Sequence, residues 1–145
     1  MDRSTNARSR VPLFLVSQGP AVFLQNVFIM EYKQLTPMFY NSEFNIGYEV
    51  YTFMCGLYPN LKTVEIEVIP TDLTEDNVFG WTTYNNDQHE IEIHNDLSEK
   101  DFITTLIHEL IHVDQNVRGL LDDEEREKEA YSLEHTLTNQ FLNKC

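Results

Sequence analysis

Hydrophobic residues recur every three or four positions in four stretches of the chain, which is the spacing of one face of a helix. The first stretch covers residues 21–34 and carries Phe23, Leu24, Val27, Phe28 and Met30. The second begins at a Ser42 cap and carries Ile46, Val50, Phe53, Met54 and Leu57. The third begins near Leu97, and the fourth runs from about Glu124 to Asn143. The pattern therefore predicts two N-terminal helices and two C-terminal helices.

Between the second and third helical stretches, apolar and polar residues alternate, as they do along a β-strand. Three segments show this pattern, "KTVEIEVIP", "VFGWTTY" and "HEIEIHN", and residues 85–87 predict a hairpin turn between the last two. In the third segment, we expect Ile91 and Ile93 to face inward and Glu90, Glu92 and His94 to face solvent. The chain is thus predicted to be α+β, with a small, mostly antiparallel sheet of about three strands packed on the third helix.

The third helix contains the sequence His-Glu-Leu-Ile-His at residues 108–112. Side chains four residues apart stand on the same helix face, so His108 and His112 can bind one metal ion. Glu109 points about 100° around the helix, where it can act as general base for a zinc-activated water. The spacing therefore predicts zinc-dependent hydrolysis of a peptide bond. The alternative is a buried helix whose two histidines bond to backbone carbonyls.

A catalytic zinc ion has three protein ligands, and we expect the third from the last helix. Glu129 is the candidate because it lies beside Ala130, a small residue that permits close approach of two helices. Glu125, one turn earlier on the same face, and His135 are the alternatives. The other acidic residues of this helix are expected to be solvated.

The segment "HELIHVDQ" followed by "EREKEAY" resembles the zinc peptidases of the gluzincin type and is similar in style to the small ImmA/IrrE-like peptidase domains. The resemblance is specific over residues 104–133 and does not extend to residues 1–60. It implies a zincin-like fold and one zinc ion held by His108, His112 and Glu129, with Glu109 as general base. In SprT-like peptidases the third ligand is a downstream histidine, which here would be His135.

The resemblance also implies a place for the substrate, namely the strand at residues 89–95, beside which an extended peptide would add as a further strand. A zincin usually has a hydrogen-bond donor for the oxyanion of the tetrahedral intermediate, and Tyr131 and His135 are the candidates, with Tyr84 as another. His89 and His94 are expected to be surface residues.

Composition disfavours direct binding to nucleic acids. The chain has 24 acidic and 10 basic residues and a net charge of −14, so it would repel the phosphate backbone of nucleic acids. With 41% hydrophobic residues, the 145 residues are expected to form a single domain, with residues 1–10 as a flexible arm.

The apolar stretch after residue 10 is interrupted at residues 17–20, which disfavours a signal peptide or a membrane span. The only cysteines are Cys55 and Cys145, and this favours an intracellular, cytoplasmic location.

These features together predict a zinc metallopeptidase that acts on a peptide or protein substrate and binds neither membrane nor nucleic acid. The alternative function is a catalytically inactive zincin-like domain, in which zinc is structural and the acidic surface binds a protein partner.

Overall fold

The computed structural model describes residues 28–30, 42–85 and 87–144. Within these residues the elements follow one another as β1 (Phe28–Met30), α1 (Ser42–Leu57), β2 (Glu65–Thr71), β3 (Gly80–Asn85), β4 (Gln88–His94), α2 (Glu99–Arg118) and α3 (Asp123–Leu142). Short 3-10 turns at Pro59–Thr63 and Thr74–Asp76 precede β2 and β3. The predicted α+β class is confirmed for this part of the chain.

The four described strands form one sheet in the order β1-β2-β4-β3. β1 pairs with β2 and β3 pairs with β4 in antiparallel fashion, whereas β2 and β4 are parallel. The predicted hairpin is present, with Asn85 opposite Gln88. The sheet is therefore mixed, with antiparallel pairs in the majority as predicted.

The position of β4 differs from the prediction. β4 lies between β2 and β3, so its backbone groups are paired on both sides. A strand with two neighbours has no free edge to which a peptide can add. The prediction that a substrate lies along residues 89–95 is therefore wrong, and β3 is the edge strand beside β4 in the described sheet.

Burial along β4 also differs from the prediction. Glu90 and Glu92 are only 3% and 2% exposed, and Glu92 accepts hydrogen bonds from the Trp81 indole and the Thr71 hydroxyl. Because β4 is central, side chains of the strands on both sides flank these carboxylates. The prediction that Glu90 and Glu92 face solvent is wrong, and the same holds for His89, which is 4% exposed.

The first predicted helix is contradicted where the structure describes it. Residues 28–30 form β1, which pairs with β2 so that Phe28 lies opposite Val68. Pairing with a neighbouring strand overrides a local helical pattern, since hydrogen bonds to the sheet replace those within a helix turn. The remaining residues of that prediction, and the arm at residues 1–10, lie outside the described residues.

The other three helices lie where the sequence predicts them. α1 begins at Ser42, and the hydroxyl of Ser98 caps α2 by accepting from the Asp101 amide. Gly119 ends α2 with φ 79°, a left-handed conformation that favours glycine. Asp122 caps α3 through the Glu125 amide.

Helix α2 is the centre of the described domain. Every residue from Phe102 to Gln115 is buried, with the sheet against one side of the helix and α1 and α3 against the others. Phe53 of α1 meets Phe141 of α3 edge to face at 5.6 Å, which closes the core around α2. No helix in the described ranges is long and apolar enough to cross a membrane.

Candidate metal centre

Three donor side chains converge between α2 and α3. The Nε2 atoms of His108 and His112 are 3.1 Å apart, which the four-residue spacing along α2 predicts. Glu127 of α3 places Oε1 3.2 Å from the first of these nitrogens and Oε2 3.6 Å from the second. In the described part of the chain, these residues form a group of side chains able to hold a metal ion.

The second nitrogen of each imidazole is held by a side chain. Nδ1 of His108 lies 2.7 Å from Oε1 of Glu134, and Nδ1 of His112 lies 2.7 Å from Oε1 of Gln115. The Gln115 amide nitrogen donates to the Arg126 carbonyl and to Glu129, so its oxygen is the atom that faces the ring. Both Nδ1 atoms are therefore donors, and in the neutral form of each ring Nε2 carries a lone pair.

Two lone pairs that face each other at 3.1 Å would repel, and either a proton or a metal cation between them removes the repulsion. Bonds of about 2.0–2.1 Å to a tetrahedral zinc place its ligands about 3.3–3.4 Å apart. In the donor triangle of His108, His112 and Glu127, the two nitrogens are 3.1 Å apart, the first lies 3.2 Å from Oε1 of Glu127, and the second lies 3.6 Å from Oε2. These separations lie around the value for zinc. The donor set and its dimensions are thus compatible with a metal ion held by these three side chains.

The electrostatics of the triangle also favour a positive charge. Burial by itself lowers the pKa of His108, but its hydrogen bonds to Glu127 and Glu134 outweigh this and raise the pKa to about 9. Burial raises the pKa of Glu127, whereas its bonds to the two histidines lower it to about 2. The carboxylate of Glu127 is therefore ionised at neutral pH and available to a cation.

Glu129, the predicted third ligand, lies elsewhere. Its Oε1 accepts from the Gln115 amide at 2.8 Å and from Nη2 of Arg118 at 2.6 Å, and its side chain is 36% exposed. Two residues along a helix correspond to a rotation of about 200°, so Glu127 and Glu129 point to different sides of α3. The prediction of Glu129 as a ligand is corrected to Glu127.

Glu109, the predicted general base, is fully buried beside the triangle. The Thr82 hydroxyl of β3 donates to its Oε1 at 2.7 Å, whereas Oε2 has no hydrogen-bond partner. Burial raises the pKa of this carboxyl, and the nearby His112 and His108 partly offset the effect. One oxygen is thus fixed in position while the other is able to accept a proton.

Gly80 lets β3 approach α2 closely. A Cβ atom at this position would lie 2.9 Å from both the Glu92 carbonyl and Cγ2 of Thr105, and 3.7 Å from Cγ of Glu109. A side chain at Gly80 would therefore push β3 away from α2. The absence of a side chain at Gly80 thus allows the close approach at which the Thr82 hydroxyl donates to Glu109.

The remaining predicted residues lie at varying distances from the triangle. The ring of Tyr131 meets that of His108 edge to face at 4.8 Å, so Tyr131 borders the centre. His135 is 73% exposed and contacts Oε2 of Glu134 at 3.2 Å, and Glu125 is exposed in the first turn of α3. Neither His135 nor Glu125 is a member of the donor group.

Sequence reasoning set Glu127 and Glu134 aside as solvated, which is wrong for Glu134 at 2% exposed, and it did not single out Gln115 or Thr82. Helical spacing could have found the first two, since Glu127, Ala130 and Glu134 follow one another at intervals of three and four residues. Thr82 had no such signal, because its contact with Glu109 joins residues 27 apart.

In comparisons with known proteins, the chain matches no family model, no curated protein and no solved structure. The arrangement of its own side chains is therefore the basis for assigning a function.

Proposed function

We propose that the protein is a zinc-dependent metallopeptidase. The observation that carries the proposal is the triangle of His108, His112 and Glu127 with the buried carboxyl of Glu109 beside it. Two imidazoles and one carboxylate suit zinc, and three protein ligands are typical of a catalytic site, which keeps its fourth position for water or substrate. The resemblance to gluzincins supports the same function, with Glu127 in place of Glu129.

Zinc bound in this triangle would act as a Lewis acid for the attacking water and the substrate carbonyl. Oε2 of Glu109 takes one proton from the water as its oxygen bonds to the carbonyl carbon. Glu109 then delivers this proton to the amine nitrogen as the C–N bond breaks. The raised pKa of Glu109 suits both steps, because the group must accept a proton and then release it.

The edge of β3 supports a binding mode for an extended peptide. The His94 amide donates to the Phe79 carbonyl, so in the alternating antiparallel ladder Trp81 and Thr83 point their backbone groups at β4. The backbone groups of Thr82 and Tyr84 then point to the opposite side, where no described strand pairs with them. We propose that a substrate adds as a strand here, beside Glu109.

The decisive experiment compares the wild-type protein with Glu109→Gln. We expect both to contain one zinc ion by elemental analysis, because Glu109 is not a ligand. Wild type should cleave an unfolded protein such as reduced casein, and the variant should lose at least about 100-fold in rate, since it lacks the proton acceptor. Full activity of Glu109→Gln, or an inactive zinc-loaded wild type, would refute the proposal.

One observation favours a second candidate, a catalytically inactive domain with a structural zinc. His108, Glu109 and His112 are all 0% exposed, as expected for a site closed to substrate. Zinc would then join α2 to α3, and the acidic surface would bind a protein partner. In this case chelation lowers the melting temperature, while wild type and Glu109→Gln are equally inactive.

A further inference from the structure

A cavity lined by both polar and apolar side chains lies apart from the donor triangle. It has a volume of about 370 Å³ and lies between the C-terminal end of α2, the β3–β4 hairpin and the segment that leads into β2. Its lining residues are Thr63, Val64, Tyr84, Asp87, His89, Asn116 and Val117. None of these residues belongs to the donor triangle.

His89 is a buried polar group in the wall of this cavity. It is 4% exposed, and neither of its ring nitrogens makes a hydrogen bond of normal geometry, although the Asp87 backbone lies close enough to raise its pKa. The ring stacks on Tyr84 with centroids 5.5 Å apart and planes 19° apart, which holds it in place. Burial lowers the pKa of His89 to about 4, so near neutral pH the ring offers one donor nitrogen and one acceptor nitrogen.

Asn116 is the second such group. Its Oδ1 accepts from Nη1 of Arg126 at 2.8 Å, which fixes the orientation of the amide. The amide nitrogen Nδ2 is buried and has no hydrogen-bond partner. A buried polar group without a partner is costly, so a wall with unpaired groups of this kind fits a ligand that supplies the missing bonds.

The position of the cavity relates it to the proposed peptidase site. Asn116 follows His112 by one helix turn, about 6 Å, and Tyr84 follows Thr82 by two residues of β3, about 7 Å. Measured along either element, the cavity therefore lies within about two residues of a strand, or one turn of a helix, from the proposed catalytic site.

We propose that this cavity binds a primary carboxamide, the side chain of a glutamine or asparagine in the substrate; its role in substrate selection rests on the proposed peptidase function. The carboxamide oxygen accepts from Nδ2 of Asn116, and the carboxamide nitrogen donates to the acceptor nitrogen of His89. Asp87 offers a second acceptor for that nitrogen and repels a carboxylate ligand. An ammonium or guanidinium group has no acceptor for Asn116.

The test measures binding without turnover. Zinc-loaded Glu109→Gln protein is titrated by calorimetry with alanine-based pentapeptides that carry glutamine, glutamate, lysine or norleucine at one position, moved along the peptide. Each peptide ends in an N-methylamide, so that the glutamine side chain is its sole primary amide. At one position, glutamine should bind about tenfold tighter than the other three, as expected for one or two additional hydrogen bonds.

Two variants, each added to Glu109→Gln, separate the cavity from the rest of the site. Asn116→Asp keeps an oxygen that accepts from Arg126 but replaces the donor Nδ2 by a second oxygen. His89→Phe keeps an aromatic ring stacked on Tyr84 but removes both ring nitrogens. Each should reduce the glutamine preference to less than about twofold. Asn139→Asp, the same chemical change on the exposed face of α3, should leave it intact.

Absence of a glutamine preference, or a preference that survives in both variants, overturns the carboxamide assignment. The outcome for the peptidase proposal is separate. If glutamine peptides bind preferentially but the wild-type protein cleaves nothing, the carboxamide site is supported and the peptidase function is refuted. If the wild-type protein cleaves without a glutamine preference, the peptidase function is supported and the carboxamide site is refuted.

Discussion

Glu127 and Glu129 of α3 are chemically identical and have different surroundings. Glu127 contacts two imidazoles, at 3.2 and 3.6 Å, whereas Glu129 is bonded to the Arg118 guanidinium and the Gln115 amide. The contacts of Glu127 can be replaced by contacts to a metal ion, whereas the contacts of Glu129 link α3 to α2. At the scale of the residue, neighbouring side chains decide which carboxylate is available as a ligand.

Glu127→Gln should lose zinc, whereas Glu129→Gln should retain it. The glutamine keeps the size of the side chain but not its charge, so the loss of affinity should exceed the roughly 10–100-fold typical for an outer hydrogen-bond partner. Zinc affinity measured by competition with a chromophoric chelator checks this. Equal affinities in the two variants would contradict the assignment of Glu127.

Glu134 is a positioning residue for His108. Glu134→Leu should weaken zinc binding by about 10–100-fold, because the Nδ1–H loses its acceptor and the ring its fixed orientation. Glu134→Gln keeps an acceptor oxygen and should recover most of the affinity.

The same competition titration measures both Glu134 variants, with Glu124→Gln, an exposed position at the start of α3, as control. If the leucine and glutamine variants bind zinc alike, Glu134 does not orient the ring.

At the scale of the element, α3 presents one continuous stripe to α2. Its buried members Ala130, Glu134, Leu137 and Phe141 recur at intervals of three and four residues, and Glu127 lies three residues before the first of them. The partly exposed Leu133 lies beside this stripe. The stripe could be read from the sequence, but its alignment with His108 depends on how the two helices cross.

The contact between β3 and α2 gives a prediction at this scale. Gly80→Ala should lower the free energy of unfolding by about 1–3 kcal/mol, because the new methyl group meets the Glu92 carbonyl and Thr105 at 2.9 Å. Gly56→Ala, in α1 with no neighbouring atom within 4 Å, should leave stability unchanged or raise it by up to about 1 kcal/mol.

Urea denaturation with the same slope for all proteins measures both glycine effects. A Gly80→Ala protein as stable as Gly56→Ala would show that β3 moves freely relative to α2.

At the scale of the whole molecule, sheet order determines which groups are buried. Central β4 carries His89 on the same face as Ile91 and Ile93, since all three are odd-numbered positions of one strand. Alternation alone could have placed His89 inside. Its unpaired nitrogens arise from the cavity between elements that are distant in the chain.

Burial of neutral His89 makes stability depend on pH. Its pKa falls from 6.5 to about 4 on folding, so the unfolded state binds more protons in this range. The contribution of neutral His89 to the free energy of unfolding is complete above pH 6.5 and is lost as pH falls toward 4. Between pH of about 7.5 and 5, wild type should lose about 2 kcal/mol more than His89→Phe.

Urea denaturation of both proteins at the two pH values, at one zinc concentration, measures this difference, and groups common to both proteins cancel. Asp87, which raises the pKa of His89, and Arg126, which lowers it, are present in each. Parallel loss of stability in wild type and His89→Phe would show that His89 is protonated in the folded state.

The sequence by itself determined the local features of this protein. Helix caps at Ser98 and Gly119, strand alternation and the four-residue spacing of His108 and His112 all depend on neighbours within a few positions of the chain. Periodicity and backbone preference act over this range. The three main helices and the hairpin were therefore predictable.

Only the tertiary structure decided which elements meet. The central place of β4, the choice of Glu127 over Glu129 and the bond between Thr82 and Glu109 each depend on contacts between distant segments. The same alternation or stripe is compatible with several packings, since it specifies a face but not the partner of that face. Packing of α2 against the sheet and α3 therefore determined the candidate site.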